Sequence, residues 1–219
     1  MNINKFKNRL FGRVKGHSKK KINISEYKSL LNKYKINILE DKTKYILDIG
    51  TGNGETSLYL SKKYPRHTIV ACEKYINGNL NLIKQIEINN ITNIKIYPGN
   101  VHDILDSNDK KQFLDSTWIF FPDPWPKKKH FKRRLITSEF FTKIYPFINK
   151  EGYIYIATDS SSYVRFILKS IFVSKTFYQW INQHVGHFHI KDYYDIETKF
   201  YKKAIISGRK PSLFILKKI

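Results

Sequence analysis

Cysteine and long apolar runs are the scarcest features of this 219-residue chain, and each shortage excludes a class of protein. The single cysteine, Cys72, excludes a disulfide-bonded scaffold and a zinc site built from several thiolates. No apolar run approaches the length that a transmembrane helix needs, and the basic N-terminus lacks the apolar segment of a secretory signal. These shortages predict a soluble cytoplasmic protein without a membrane partner.

Acidic residues are also few: the chain has 18 of them and 40 lysines and arginines, which gives a formal net charge of +22. This excess predicts a polyanionic partner, nucleic acid before a membrane surface. A bias toward Lys, Ile, Asn, Tyr and Phe, as in AT-rich genomes, inflates the lysine content but does not explain the shortage of acids. The first 35 residues hold eleven basic residues and one acid. We therefore interpret residues 1–21 as a flexible basic arm and residues 22–219 as a single domain.

What the chain does contain is an alternation of short apolar runs with amphipathic stretches, which is typical of α/β proteins. Strands are predicted at 44–49, 67–73, 93–98, 117–121, 152–159 and 212–218, and helices at 55–63, 78–89, 138–147 and 161–172. A further short helix is predicted from Ser25, with this serine as its cap. The alternation predicts a parallel sheet covered by helices on both faces, with ligands beyond the carboxyl ends of the strands.

Glycines mark a predicted nucleotide site after the first strand. The segment LDIGTGNGE, residues 47–55, places three glycines at alternate positions, where the backbone can turn tightly and a ligand can approach it. Glu73 ends the second strand, placed to accept hydrogen bonds from ribose hydroxyls, and Asn100 follows the third. A dinucleotide site has the spacing G-x-G-x-x-G around a pyrophosphate. Here the spacing is G-x-G-x-G after Asp48, whose carboxylate favours a cationic cofactor such as S-adenosylmethionine.

A proline-rich segment, PDPWPKKKHFKRR at residues 122–134, predicts a second functional loop. Its three prolines exclude a helix interior or a central strand, and a loop of this composition is predicted to serve a ligand. Its basic side chains are predicted to neutralise phosphates of a nucleic acid. They are Lys127, Lys128, Lys129, Lys132, Arg133 and Arg134.

Together these segments resemble the bacterial tRNA (guanine-N7-)-methyltransferases. The motifs LDIGTGNGE, ACEKY, GNVHDIL, FFPDPWPKKKHFKRR, ATD and TKFY stand in the order of that family, and the resemblance extends over nearly the whole chain. Its specific part is the Pro-Asp-Pro-Trp loop with the basic residues after it. The resemblance implies a Rossmann-like class I methyltransferase fold, a mostly parallel seven-stranded sheet with a last antiparallel strand. It also implies methyl transfer from S-adenosyl-L-methionine to N7 of a guanine in the tRNA variable loop.

The resemblance further implies the site residues. The cofactor positions are Asp48, Gly50, Gly52, Glu73, Asn100 and Asp123. The tRNA-facing positions are Lys127, Asp159, Thr198, Lys199, Phe200 and Tyr201. The chain departs from the family pattern at three of them: Asp48 stands where glutamate is common, Asn100 where aspartate is common, and Tyr201 where glutamate is frequent. The last departure leaves the role of Tyr201 open.

The predicted chemistry needs alignment rather than proton transfer. Guanine N7 carries a lone pair and no proton, so it can attack the methyl group without a general base. The carboxylate of Asp123, the predicted catalytic residue, suits the N1–H and N2–H₂ donors of guanine, a pair that adenine lacks. Trp125 either stacks on the base or packs the loop. Asp159 either holds the base or caps the helix that begins near Ser161.

Three other functions remain alternatives. The Pro-Asp-Pro-Trp loop is similar to the Asp/Asn-Pro-Pro-aromatic loop of amino-methylating enzymes, which act on guanine N2 or adenine N6. The charge alone also fits a non-catalytic RNA-binding protein, whereas the glycine spacing argues against a nicotinamide oxidoreductase. His184, His187 and His189 lack the carboxylate or cysteine that would complete a recognisable metal site, so no metal is predicted.

Overall fold

The structure is a computed structural model that describes residues 23–37, 44–109, 111–182 and 195–219. The predicted arm, residues 1–21, and the three histidines at 184, 187 and 189 lie outside the described residues. The strands are β1 Tyr45–Ile49, β2 Thr68–Cys72, β3 Ile94–Tyr97, β4 Leu114–Phe120, β5 Ile148–Thr158, β6 Tyr178–Trp180 and β7 Ser212–Lys218. The helices are α1 Ile24–Asn32, α2 Glu55–Lys63, α3 Ile76–Ile88, α4 Val101–Asp106, α5 Ser138–Ile144, α6 Ser161–Val173 and α7 Lys199–Ile206.

Within the described residues the strands form one sheet in the order β3-β2-β1-β4-β5-β7-β6. Strands β1 to β5 pair in parallel, whereas β7 runs antiparallel to both β5 and β6. The mostly parallel sheet and its last antiparallel strand are therefore confirmed. The strand order reverses between β1 and β4, which places the ligand crevice at the carboxyl ends of these two strands.

Strand β1 is buried along its whole length because helices cover both faces of the sheet. Its alternate residues Tyr45, Leu47 and Ile49 join the larger apolar cluster, while Ile46 joins the cluster on the other face. The period of two places Asp48 on the same face as Ile46, the face that α2 covers. A carboxylate at this position must therefore find its partners inside the protein.

Several boundaries differ from the prediction for local reasons. Helix α1 is capped by Asn23 rather than Ser25, because Oδ1 of Asn23 accepts hydrogen bonds from the N–H groups of Ser25 (3.1 Å) and Glu26 (3.3 Å). Helix α5 ends at Ile144, before Pro146, and a 3₁₀ turn follows at Tyr145–Phe147. Strand β5 then begins at Ile148, four residues earlier than predicted. Helix α4, strand β6 and helix α7 were not predicted from the sequence. No described helix combines the length and apolar character needed to cross a membrane.

Candidate active site at the carboxyl ends of β1, β2 and β4

The glycine loop between β1 and α2 has the conformation that its sequence predicts. Gly50, Gly52 and Gly54 have φ angles of +75°, +59° and +94°, a region that other L-residues rarely adopt. A Cβ built on Gly50 would meet no atom within 4 Å. The backbone at Gly50 therefore faces open space, which suits the close approach of a ligand.

Glu73 lies beside this loop and is held by two backbone groups. Its Oε2 accepts a hydrogen bond from Gly52 N–H (2.9 Å), and its Oε1 accepts one from Tyr75 N–H (2.9 Å). Each carboxylate oxygen can accept more than one hydrogen bond, so both can still accept from ribose hydroxyls. The contacts give Glu73 a second role that the sequence analysis missed, because the carboxylate also fixes the glycine loop.

Asp48 lies beneath the loop rather than on its surface. Its residue is 1% exposed, and its Oδ2 accepts a hydrogen bond from the Ser57 hydroxyl at 2.6 Å. The pKa of the Asp48 carboxyl is raised to about 7, chiefly by burial and to a smaller extent by the charge of Glu73, against the lowering effect of the hydrogen bonds from Ser57 and Thr51. A cation bound above the loop would stabilise the ionised form of this carboxyl.

This raised pKa predicts a stability that depends on pH. Between about pH 4 and pH 7 folded Asp48 holds a proton that the unfolded chain has released, because an unfolded aspartate titrates near ~4. The contribution of Asp48 to the free energy of unfolding therefore falls as pH rises through this window and is constant above it. Asp48→Asn should accordingly lose less stability than the wild type between about pH 5 and about pH 8, as measured by urea unfolding.

Ser57→Ala provides the matched control for this prediction. It retains the carboxyl but removes one of its hydrogen-bond donors, so the pKa of Asp48 should rise further and the fall in stability should extend to higher pH. Equal pH dependence in the wild type and Asp48→Asn would contradict the prediction.

Asn100 follows β3 and caps helix α4. Its Oδ1 accepts a hydrogen bond from His102 N–H at 2.9 Å. The second lone pair of this oxygen could accept from an adenine amino group. That role stays a prediction.

The loop after β4 begins with strained backbone. Phe121 and Trp125 have φ angles of +52° and +41°, and such values in non-glycine residues cost about 1–3 kcal/mol each and cluster at functional sites. Asp123 lies between them and is exposed. The Arg133 guanidinium carbon lies 4.9 Å from the Trp125 ring centroid, and the His130 ring meets the indole edge-on at 5.8 Å. Trp125 therefore packs within the loop, and stacking on a base stays a prediction.

The basic run divides into exposed and buried members. A 3₁₀ helix, Lys128–Arg133, begins after the last proline of the predicted loop. Lys127, Lys128, Lys129 and Lys132 are exposed and Arg133 is half-buried. Arg134 is only 3% exposed, so the prediction that it neutralises phosphates is wrong.

Asp159, which follows β5, is engaged in an ion pair. Its Oδ2 accepts a hydrogen bond from Arg209 Nε at 2.8 Å. Ser160, not Asp159, occupies the N-cap position of helix α6, and no side chain makes a capping hydrogen bond there, so the alternative that Asp159 caps this helix is wrong.

The TKFY motif forms the start of helix α7. Thr198 is buried and caps the helix, with its Oγ1 accepting from Tyr201 N–H at 3.1 Å, and Tyr201 packs into the core at 8% exposure. Lys199 and Phe200 are exposed. Of the four predicted tRNA-facing residues in this motif, two lie on the surface.

Phe200 connects three segments that are distant in the sequence. Its ring stacks on Phe121 with centroids 6.4 Å apart and planes 22° apart. Its Cε2 lies 3.9 Å from the position of a Cβ built on Gly52. Helix α7 therefore places an exposed aromatic ring between the glycine loop and the loop that carries Asp123, a contact that the sequence analysis did not predict.

Comparison with known proteins identifies the family. A family model described as "Putative methyltransferase" matches residues 42–212. A tRNA (guanine-N(7)-)-methyltransferase of Nitrosomonas europaea is 36% identical over 152 residues, 65% of this chain and 68% of that protein. Another, from Buchnera aphidicola subsp. Schizaphis graminum, is 33% identical over 183 residues, 83% of this chain and 76% of that protein. The chain belongs to the tRNA (guanine-N7-)-methyltransferase family.

The fold of this methyltransferase has counterparts among solved structures. An rRNA methylase from Streptococcus thermophilus superimposes with a TM-score of 0.52 at 12% identity, covering 91% of this chain and 98% of that one. At this identity the similarity concerns the fold alone. It confirms the Rossmann-like class I methyltransferase architecture. Among the described residues, no cluster of histidine, cysteine or acidic side chains could hold a metal ion.

Proposed function

We propose that this methyltransferase transfers the methyl group of S-adenosyl-L-methionine to N7 of a guanine in the variable loop of tRNA. The observation that carries the proposal is the position of Asp123, an exposed carboxylate between two strained residues, in a loop joined to the glycine loop through Phe121 and Phe200. A base presented to Asp123 would thereby lie near a cofactor bound at the glycine loop.

S-adenosyl-L-methionine is the cofactor of this methyltransferase, and it supplies an activated methyl group on a cationic sulfonium. We propose that Gly50 and Gly52 let it approach the backbone, that Glu73 accepts from its ribose and that Asn100 accepts from its adenine. The cationic groups of the cofactor suit the buried carboxyl of Asp48 beneath the loop. A pyrophosphate would instead be repelled by the two nearby carboxyl groups.

In the proposed reaction the protein aligns the base and excludes water. The carboxylate of Asp123 accepts hydrogen bonds from the N1–H and N2–H₂ groups of guanine, which orients N7. The N7 lone pair forms the new bond to the methyl carbon while the bond from that carbon to the sulfonium sulfur breaks. The positive charge thereby passes from sulfur to the guanine ring, and no side chain has to remove a proton. The stacked rings of Phe121 and Phe200 offer aromatic surface beside the loop that carries Asp123. Such alignment and water exclusion can together lower the barrier by several kcal/mol.

For the tRNA backbone we propose two surfaces. One is the exposed lysines of the loop after β4: Lys127, Lys128, Lys129 and Lys132. The other is Lys199 at the start of α7, with Phe200 beside it. We propose in addition that residues 1–21 act as a phosphate-contacting arm. The cytoplasmic location stays a prediction.

Glu73→Gln should weaken cofactor binding by about 1–2 kcal/mol. The amide removes the charge that strengthens hydrogen bonds to ribose. It also turns one oxygen into a donor that faces Gly52 N–H or Tyr75 N–H, which loosens the glycine loop. Titration calorimetry with S-adenosylmethionine measures the loss. Glu87→Gln, at an exposed position on α3, is the control and should bind normally. Unchanged affinity in Glu73→Gln would count against the assignment.

Lys127→Ala should weaken tRNA binding and reduce the slope of log affinity against log salt by about one, the value expected for one lost phosphate contact. It should also reduce turnover, because Lys127 lies four residues from Asp123. Lys175→Ala, an exposed lysine just beyond the end of α6, is the matched control. An identical slope for the wild type and Lys127→Ala would contradict the phosphate contact.

A tRNA with one altered atom tests the proposed function. Replacing the variable-loop guanosine by 7-deazaguanosine removes the N7 lone pair but keeps the N1–H and N2–H₂ donors. This tRNA should bind with normal affinity and accept no methyl group, whereas the unmodified transcript should be methylated. Methylation of the 7-deaza tRNA would show that another atom is the acceptor and would overturn the proposal.

A further inference from the structure

Arg134 is a buried arginine within a surface loop, and its contacts point inward. The residue is 3% exposed, and its guanidinium carbon lies 3.8 Å from the ring centroid of Phe131, 4.9 Å from that of Tyr163 and 5.0 Å from that of Phe166. Within the described part of the chain, no carboxylate forms an ion pair with it. Aromatic rings and neutral hydrogen-bond acceptors hold this buried cation, so an ion pair does not explain why an arginine is buried here.

The hydrogen bonds of Arg134 join the loop after β4 to helix α6. Its Nε donates to the carbonyl oxygen of Pro124 at 2.8 Å. Its two terminal nitrogens donate to the backbone oxygen (3.2 Å) and the hydroxyl (3.0 Å) of Ser162. The planar guanidinium supplies these donors in a fixed fork, which a lysine cannot reproduce.

The carbonyl that accepts from Arg134 Nε belongs to Pro124, the residue that follows Asp123 in the chain. Pro124 lies between Asp123 and Trp125, and its carbonyl belongs to the peptide that precedes the strained φ of +41° at Trp125. Prolines stand at 122, 124 and 126, so only two residues of the segment 122–126 carry a backbone N–H. The backbone of this segment therefore has more hydrogen-bond acceptors than donors. A donor from a side chain, such as the Arg134 guanidinium, can bind one of its carbonyl groups and fix its position.

We propose that Arg134 is a positioning residue, which fixes the Pro124 carbonyl and thereby holds Asp123 in the geometry that methyl transfer requires. This inference rests on the proposed role of Asp123 and deepens it. In this proposal Arg134 contacts neither the base nor the cofactor. It acts through the backbone of the loop.

Arg134→Lys tests the proposal, with Arg165→Lys on the exposed side of α6 as the matched control. At saturating cofactor and tRNA, the single-turnover rate of Arg134→Lys should fall at least about tenfold, since small misplacements of reacting groups cost one to two orders of magnitude. Its affinities for S-adenosylmethionine and tRNA should stay within about twofold of the wild type, and Arg165→Lys should match the wild type.

Two results would overturn the proposal. If Arg134→Lys keeps the single-turnover rate of the wild type, with each rate divided by the concentration of protein that binds the cofactor, then Arg134 is a purely structural residue. If the variant instead binds tRNA more weakly, with a smaller slope of log affinity against log salt and an unchanged rate, then Arg134 contacts a phosphate. If Arg134→Lys does not fold, Ser162→Ala decides, because it removes one acceptor and keeps the arginine. Its rate should fall only about two- to fivefold, because one hydrogen bond of the guanidinium is lost while those to the Pro124 and Ser162 carbonyls remain, and an unchanged rate would contradict the proposal.

Amide hydrogen exchange separates this inference from the proposed function. Exchange in a peptide spanning residues 121–131 should be faster in Arg134→Lys than in the wild type, with normal exchange in the strands. This measurement needs no substrate. If the wild type methylates no tRNA, the proposed function fails while the exchange result still tests the hold of Arg134 on the loop. Equal exchange in both proteins would overturn the inference alone.

Discussion

Asp123→Ala should transfer methyl groups at least about 100-fold more slowly than the wild type, because it loses the alignment of guanine in the transition state. Asp123 is exposed, so removing it should leave the folded structure intact. Cofactor affinity should also stay within about twofold, because the carboxyl groups that we assign to the cofactor are those of Asp48, which is buried beneath the glycine loop, and Glu73, which accepts from Gly52 N–H.

The cofactor measurement decides between two roles for Asp123. The family resemblance implies that this position also contacts the cofactor, whereas we place its main role on the base. Titration of Asp123→Ala with S-adenosylmethionine therefore accompanies the rate measurement, with Asp115→Ala as the control at the amino end of β4. A large loss of cofactor affinity in Asp123→Ala alone would overturn our assignment.

Gly78→Ala should nearly abolish cofactor binding and lower the free energy of unfolding by about 3 kcal/mol. Gly78 lies in the first turn of α3, where alanine would ordinarily favour the helix by about 1 kcal/mol. Here a Cβ would lie 2.0 Å from the backbone oxygen of Gly52 and 2.9 Å from its carbonyl carbon. Because these are backbone atoms, the glycine loop itself has to move. Titration calorimetry and urea unfolding measure the two effects.

Gly208→Ala controls for the general effect of losing a glycine. Gly208 has a φ of +69°, and a Cβ built on it meets no atom within 4 Å. This variant should lose about 1 kcal/mol of stability from its left-handed backbone and bind the cofactor normally. Normal cofactor binding by Gly78→Ala would show that the close approach of α3 to the loop is not needed for the site.

The fold was largely predictable because its signals are local. The strand β1 is a continuous apolar run that ends at glycines, and the bounds of α2 agree with the prediction at both ends. Helix α7 was missed because it is only eight residues long and three of the eight are lysines, which leaves too short a stretch for a helical period to show. Strand β6 has three residues, too few for a period-two pattern to show.

The site was predictable in its residue types but not in their burial. Arg133 and Arg134 are identical neighbours in the sequence, and only Arg134 enters a pocket formed in part by rings of α6 about thirty residues away. The stacking of Phe121 on Phe200 is likewise a long-range contact. Composition and spacing indicate which side chains can do chemistry, but tertiary packing decides which of them face the ligand.

The identity of the methylated atom tests the central claim most directly. The 219-residue protein is incubated with S-adenosylmethionine carrying a labelled methyl group and with unmodified tRNA transcript. The tRNA is then digested, and the labelled nucleoside is identified and located by mass spectrometry. We expect 7-methylguanosine in the variable loop and nowhere else. Label in N2-methylguanosine or N6-methyladenosine, or no transfer to tRNA at all, would contradict it.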